Sequence, residues 1–229
     1  KILIKNAKII DNTSKYHKKN YDIQINNGII NKIKKNIKTK DFNKIINFKN
    51  LHISKGWVDL NCRFGEPTNE IKETFESGIN SAMRGGFTHL MLMPSASPAS
   101  DNKTSIEYVL SKTKNKIVSI HPIGSLTINS NGSKMTELHD LYKSGASGFS
   151  DDKKSIQNSF LMKEILLYIK SFNGLVMTYP SNFNLNNNGY INEGLNSLKY
   201  GLRGIPRISE EIQIMRDIFL CKETNSKIH

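Results

Sequence analysis

Lys55-Gly56-Trp57-Val58-Asp59-Leu60-Asn61-Cys62-Arg63-Phe64 is the stretch on which the reading of this chain turns. The apolar run Trp57-Val58-Asp59-Leu60 reads as a buried strand. An acidic loop follows, Gly65-Glu66-Pro67-Thr68-Asn69-Glu70. The next residues predict a helix over Ile71–Arg84. Gly85-Gly86 ends it, since glycine tolerates the left-handed backbone that a helix C-terminus needs. A second apolar strand is expected over Phe87–Met93, closed by Pro94. The whole is one strand–helix–strand unit whose strands are too apolar to alternate, the pattern of a parallel sheet covered on both faces.

Outward from this unit the alternation continues. Further strands are expected at Ile117–His121, Ala146–Ser150 and Gly174–Thr178, with a sixth beginning at Lys227. Further helices are expected at Ser105–Thr113, Met135–Ser144, Ser155–Phe172 and Arg207–Thr224. Such units in series imply a parallel α/β sheet. Periodicity alone allows either a doubly wound sheet or a barrel. Residues 1–54 differ: short strands at Ile2–Ile10, Tyr21–Ile25 and Ile29–Ile33 are separated by turn clusters, including Asn26-Asn27-Gly28. The expected domains are therefore a small β-sandwich-like unit over 1–54 and an α/β unit over 55–229.

Several pieces of the chain resemble, in order, the class I dihydroorotases of the amidohydrolase superfamily. They are Gly56-Trp57-Val58-Asp59-Leu60, Glu66-Pro67, Lys72-Glu73-Thr74, Ser77-Gly78, Gly85-Gly86-Phe87-Thr88 and Met93-Pro94. His121-Pro122-Ile123-Gly124-Ser125-Leu126-Thr127, Ser144-Gly145-Ala146-Ser147-Gly148-Phe149-Ser150-Asp151-Asp152 and Gly204-Ile205-Pro206 with Glu210-Glu211 continue the match. The resemblance selects a (β/α)₈ TIM-type barrel with a small N-terminal β domain. About five to six βα units are present. A closed barrel needs eight strands and about 250 residues, so a longer polypeptide is expected, or a partner that covers the open edge.

The resemblance also implies a chemistry, and here the chain departs from it. The family ends its first barrel strand in Asp-Leu-His-x-His-x-Arg, with two zinc-binding histidines and a carboxylate-binding arginine. This chain has Asn61 and Arg63 at the histidine positions and Gly65 at the arginine position. Ser95 stands where the family places a substrate-binding asparagine. Asp151-Asp152 match a pair that includes a metal ligand, Asp152 being favoured as its match. Lys153 follows them in place of a glycine, and Tyr179 replaces a histidine after the fifth strand. Zinc takes imidazole, thiolate and carboxylate ligands, and Asn61 and Arg63 offer neither. No catalytic residue and no metal ligand is assigned. The guanidinium of Arg63 is expected to occupy the vacated metal place and pair with Asp152 or Asp151, because an uncompensated buried carboxylate is costly.

Of six histidines, His17, His52, His89, His121, His139 and His229, none forms an HxH pair, and only His121 is placed at a strand end facing a barrel mouth. The leading expectation is a catalytically inactive dihydroorotase-like protein without a cofactor, homo-oligomeric, and a structural partner of aspartate transcarbamoylase in pyrimidine biosynthesis. The alternative is an active cyclic amidohydrolase that opens a ring C–N amide bond with atypical or fewer ligands, and then with zinc.

Composition narrows the classes. With 33 Lys and Arg against 20 Asp and Glu the net charge is +13. The lysines run along the whole chain without an interleaved aromatic motif, so a solvated basic surface is expected, not nucleic-acid binding. Two cysteines, Cys62 and Cys221, make neither a disulfide framework nor a metal knuckle, and a cytoplasmic setting is expected. No apolar run approaches the ~20 residues of a membrane span. The asparagine-rich segment Ser181–Asn196 reads as a solvated loop. The stripe Ile208, Ile212, Met215, Phe219 and Leu220 reads as the core-facing side of a helix.

Overall fold

The structure, a computed structural model, describes residues 1–186 and 188–229. The chain divides into two compact units, Lys1–Gly56 and Trp57–His229.

The first unit is a five-stranded sheet. Strands β1 (Ile2–Ile10), β2 (Asn20–Asn26) and β3 (Ile29–Lys34) are antiparallel neighbours, and β4 (Lys44–Ile46) and β5 (His52–Ser54) run parallel to β1. The β2–β3 loop is the two residues Asn27-Gly28, both with positive φ (48° and 78°). That is the turn whose twist matches a hairpin, and Asn-Gly is its preferred sequence. Leu3, Ala7, Ile9 and Ile23 form the core. The buried Asp22 is satisfied by Lys5 Nζ at 2.5 Å and by the backbone N–H groups of Asn6 and Ile37.

The second unit is α/β. Four parallel strands, β6 (Trp57–Cys62), β7 (Phe87–Leu92), β8 (Ser119–Gly124) and β9 (Gly148–Phe149), lie side by side in sequence order. The connecting helices are α1 (Phe75–Arg84), α2 (Lys103–Thr113) and α3 (Leu138–Lys143), and α4 (Ser159–Lys170) follows β9. This is a partial barrel sheet, not a closed one. Helix starts follow their caps. Thr74 and Ser77 form a reciprocal capping box, so α1 begins at Phe75, four residues after the expected Ile71. Asn158 Oδ1 accepts from the N–H groups of Phe160 and Leu161 and delays α4 to Ser159. Gly78 in α1 is required by close approach: a Cβ there would lie 2.2 Å from the ring of Phe64.

Three sequence expectations change. First, the strand expected over Gly174–Thr178 is reduced to Val176, bridged to Phe149 on one side and to Ile228 on the other. Second, residues 181–196, residue 187 lying outside the described residues, are not a plain loop. They hold α5 (Phe183–Asn186), β10 (Ile191–Asn192) and the start of α6 (Leu195–Lys199), and β10 pairs in parallel with β11 (Gly204–Ile205). Third, two apolar segments are not buried. Trp57, Val58 and Leu60 of β6 are 61%, 52% and 45% exposed, because β6 is the edge of its sheet. In α7 (Ile208–Thr224) the buried positions are Ser209, Gln213, Asp217 and Thr224, whereas Ile208, Ile212, Met215 and Phe219 face outward. Leu220 alone of that stripe packs on the main core, which is built from α3, α4 and β9 residues such as Leu141, Ile165 and Phe149.

No helix among the described residues is long and apolar enough to cross a membrane.

Candidate functional site: the carboxyl ends of the parallel strands

The strand ends of β6 and β9 converge on one ion pair. Alternation along β6 and its exit sends Cys62 and Arg63 to opposite sides. Cys62 packs with Phe64 against the cluster of Phe75, Leu90 and Leu92 that joins the sheet to α1 and α2. Burial there, with Asp59 nearby, pushes its thiol up to about 12, so it stays protonated and offers no thiolate ligand. Arg63 turns the other way. Its Nε donates to Asp152 Oδ2 at 2.7 Å and its Nη2 donates to Asp152 Oδ1, a side-on fork. The hydrogen bond to Asp152 outweighs partial burial and raises the guanidinium pKa above its already high ordinary value.

The neighbouring aspartate points elsewhere. Asp152 adopts a left-handed backbone (φ 55°) and its N–H donates to Ser150 Oγ at 3.0 Å. This turn separates the two carboxylates. Asp151 is 3% exposed and accepts from the Thr127 N–H at 3.0 Å and from Thr127 Oγ1 at 2.5 Å. Burial pushes its carboxyl above the ordinary carboxylate value, and the hydrogen bonds from Thr127 offset this only in part. Of the two aspartates, Arg63 meets Asp152.

The remaining positions line two cavities flanking this pair. One, of about 340 Å³, is bordered by Arg63, Gly65, Lys72, Ser95, Asp152 and Lys153. The other, of about 250 Å³, is bordered by Asn61, Arg63, Asp152, Lys153 and Tyr179 among others. Asn61 uses its own N–H on Asp59 Oδ1 at 2.9 Å. Gly65 cannot carry a longer side chain on this backbone: a Cβ there would sit 2.1 Å from the carbonyl oxygen of Asn69. The cause is a tight loop in which Asn69 N–H donates to Gly65 O and Gly65 N–H to Glu73 O. With Arg63, Lys72 and Lys153 against Asp152, the strand-end region carries an excess of positive charge.

The donor set does not suit a zinc ion. Asn61, Arg63 and Tyr179 supply no imidazole, His229 brings a single one to the smaller cavity, and the carboxylate between the cavities, Asp152, is already taken by a permanent cation. Among the described residues no group of three or more His, Cys, Asp and Glu is placed to hold a metal ion.

His121 is not at a strand end. β8 runs on to Gly124, so His121 sits mid-strand, where its Nε2 lies 2.9 Å from Nδ1 of His89 on β7. Sequence reading misses this pair because the two residues are 32 apart. The only signal is the parallel β7–β8 register, which the sequence does not display.

Comparison with known proteins places this geometry in context. A family model described as dihydro-orotase-like matches residues 51–229. A protein named dihydroorotase from Syntrophus aciditrophicus is 33% identical over the whole chain, which covers 54% of that relative. One of the same name from Caldanaerobacter subterraneus subsp. tengcongensis is 36% identical, again over the whole chain and 53% of the relative. The chain thus spans about half the length of the curated relatives it matches. In structure it is similar to an L-hydantoinase (dihydropyrimidinase) from Arthrobacter aurescens, with a TM-score of 0.76 at 18% identity over 99% of this chain and 51% of that one. At that identity the likeness concerns the fold alone, an α/β barrel of which this sheet corresponds to a part.

Proposed function

The chain belongs to the dihydroorotase-like family, and from that premise we propose that the protein works as a dihydroorotase-type cyclic amidohydrolase, on the ring C–N amide of a dihydroorotate-like ureide. The observation that carries this reading is sequence identity of 33–36% to proteins named dihydroorotase, sustained along the entire chain. The charge at the strand ends is compatible with it. Arg63, Lys72 and Lys153 border cavities of about 340 and 250 Å³, a setting that attracts and orients a small carboxylate. No bond-breaking step is assigned to these residues, since none of them is a general base or a zinc ligand in the arrangement described.

That last point favours a second reading. Arg63 forked on Asp152 neutralises the carboxylate that the family resemblance matches to a metal ligand. On this reading the protein is a non-catalytic member of its family, without zinc, and acts as an assembly partner for aspartate transcarbamoylase in pyrimidine biosynthesis.

One experiment separates the two. The protein is purified without added zinc, its metal content is measured by elemental mass spectrometry, and ring opening of dihydroorotate is followed by absorbance. About one or two metal ions per chain together with turnover supports the cyclic amidohydrolase. Metal-free protein that does not turn over, and that co-elutes with aspartate transcarbamoylase, supports the second reading and overturns the first.

A further inference from the structure

Helix α7 buries one carboxylate oxygen that nothing in the described chain satisfies. Asp217 is 3% exposed. Its Oδ1 accepts from Nε and Nη2 of its neighbour Arg216, at 3.0 and 2.6 Å. Its Oδ2 has no hydrogen-bond partner among the described residues. Turning the Gln213 amide over gives its oxygen hydrogen bonds from Arg216 and Ser155 but gives Asp217 no donor.

Asp217 borders a narrow cavity of about 10 Å³, which Asp151, Lys154, Thr178 and Arg216 also line. That is the least space that holds one water molecule. The hydroxyl of Thr178 likewise has no hydrogen-bond partner among the described residues. The burial does not depend on the open edge of the sheet. Phe149 of β9 is bridged to Val176, and Val176 in turn to Ile228, so the segment beneath the cavity has neighbours on both sides. Further strands would only deepen it.

We propose that this cavity is the binding site of one internal water molecule, which donates to Asp217 Oδ2 and bonds the hydroxyl of Thr178. A buried carboxylate oxygen without a donor costs more than the immobilisation of one water. Charge argues against a cation in the same place. Arg216 already compensates Asp217, Lys154 lines the same wall, and burial biases Asp151 toward its protonated form. A third positive charge would meet more cations than anions, and a neutral donor of this size is water. The smaller strand-end cavity is lined by Met177, Thr178 and Tyr179 as well. The water therefore ties α7 to the segment that separates the two cavities, and it holds that wall of the candidate site in place.

The test is a crystal structure of the protein at a resolution that shows ordered water, together with water–amide cross-relaxation by NMR in solution. The expected map has a single peak at ~2.6–3.2 Å from Asp217 Oδ2, hydrogen-bond distance. The expected spectrum has a cross-peak between a long-lived water and the amide protons of Asp217 or Thr178. Both signals should be lost in Thr178→Val, which keeps the shape and removes one partner, since a buried water needs at least two. A map without the peak overturns the proposal. So does a Lys154 ammonium bonded to Oδ2, a peak with the coordination shell of a cation, or a water retained in Thr178→Val. No activity is read, so the outcome is independent of the proposed function.

Discussion

The turn at residues 150–154 has an inner and an outer side, and the two hold adjacent carboxylates in opposite ways. On the inner side Asp151 is satisfied by neutral donors, the N–H and hydroxyl of Thr127, in a site nearly closed to water. On the outer side Asp152 is satisfied by a charge, the fork of Arg63, at the edge of a cavity. A neutral hydroxyl cannot compensate a buried charge, so the Asp151 carboxyl shifts toward its protonated form. A guanidinium can, and that of Arg63 forks on Asp152. The lesson is that residue type and chain position do not determine a carboxylate's role. The sign of one backbone angle, φ at Asp152, aims the two neighbours at different partners.

Three substitutions test this contrast. The largest effect is expected from Thr127→Val, which keeps shape but removes the hydroxyl that donates to Asp151 and accepts from the Gly132 N–H. Two buried groups lose a partner, and chemical denaturation should show a loss of about 2–3 kcal/mol. A loss under about 0.5 kcal/mol would mean that water reaches Asp151 and that the inner side is not closed.

Arg63→Met comes next. It leaves Asp152 without its cation, a change that costs about 3–5 kcal/mol when a pair is fully buried. Arg63 remains 32% exposed and Asp152 10% exposed at their side chains, so screening reduces the expected loss to about 1–2 kcal/mol. The loss should shrink in Arg63→Met/Asp152→Asn, where no charge is stranded. A double variant no better than the single one would break the outer half of the comparison.

The smallest effect is expected from Asp151→Asn. The amide accepts from the Thr127 N–H through its oxygen and donates to the hydroxyl through its nitrogen, much as a protonated carboxyl does. Stability at pH 7 should change by less than about 1 kcal/mol. The pH dependence is the sharper readout. The folded-state pKa of Asp151 is raised above 3.8. Its contribution to stability is therefore fully present below that value and is lost as pH rises through the folded pKa. Asp151→Asn should flatten this part of the stability profile above about pH 4. An unchanged profile would show that Asp151 is ionised at no cost.

A second contrast concerns what was legible before folding. Helices α4 and α7 pack on one another, and both carry apolar residues at helical spacing. In α4 that spacing reports the buried face correctly: Met162, Ile165, Leu166 and Ile169 are inside. In α7 it does not. Gln213 and Asp217 are inside, where Arg216 bonds Asp217 and the carbonyl of Ile156. A hydrophobic pattern says that a face is to be covered; it does not say by which neighbour, and here the apolar side of α7 lies on the outside of the described unit. The same holds for β6, apolar in sequence and exposed at Trp57, Val58 and Leu60.

The sequence by itself determined the α/β alternation and the Asn27-Gly28 hairpin, with α1 and α4 each starting four residues past the expected Ile71 and Ser155. These depend on residues close together in the chain, through backbone φ preferences, side-chain caps and repeating apolar periods. Only the tertiary structure decided that Arg63 meets Asp152, 89 residues away, and that His89 meets His121 across two strands. It also decided that Gly65 leaves no room for a side chain. Those outcomes depend on strand register, on the handedness of single turns and on close packing between distant segments. Each is a property of the assembled chain that no local pattern carries.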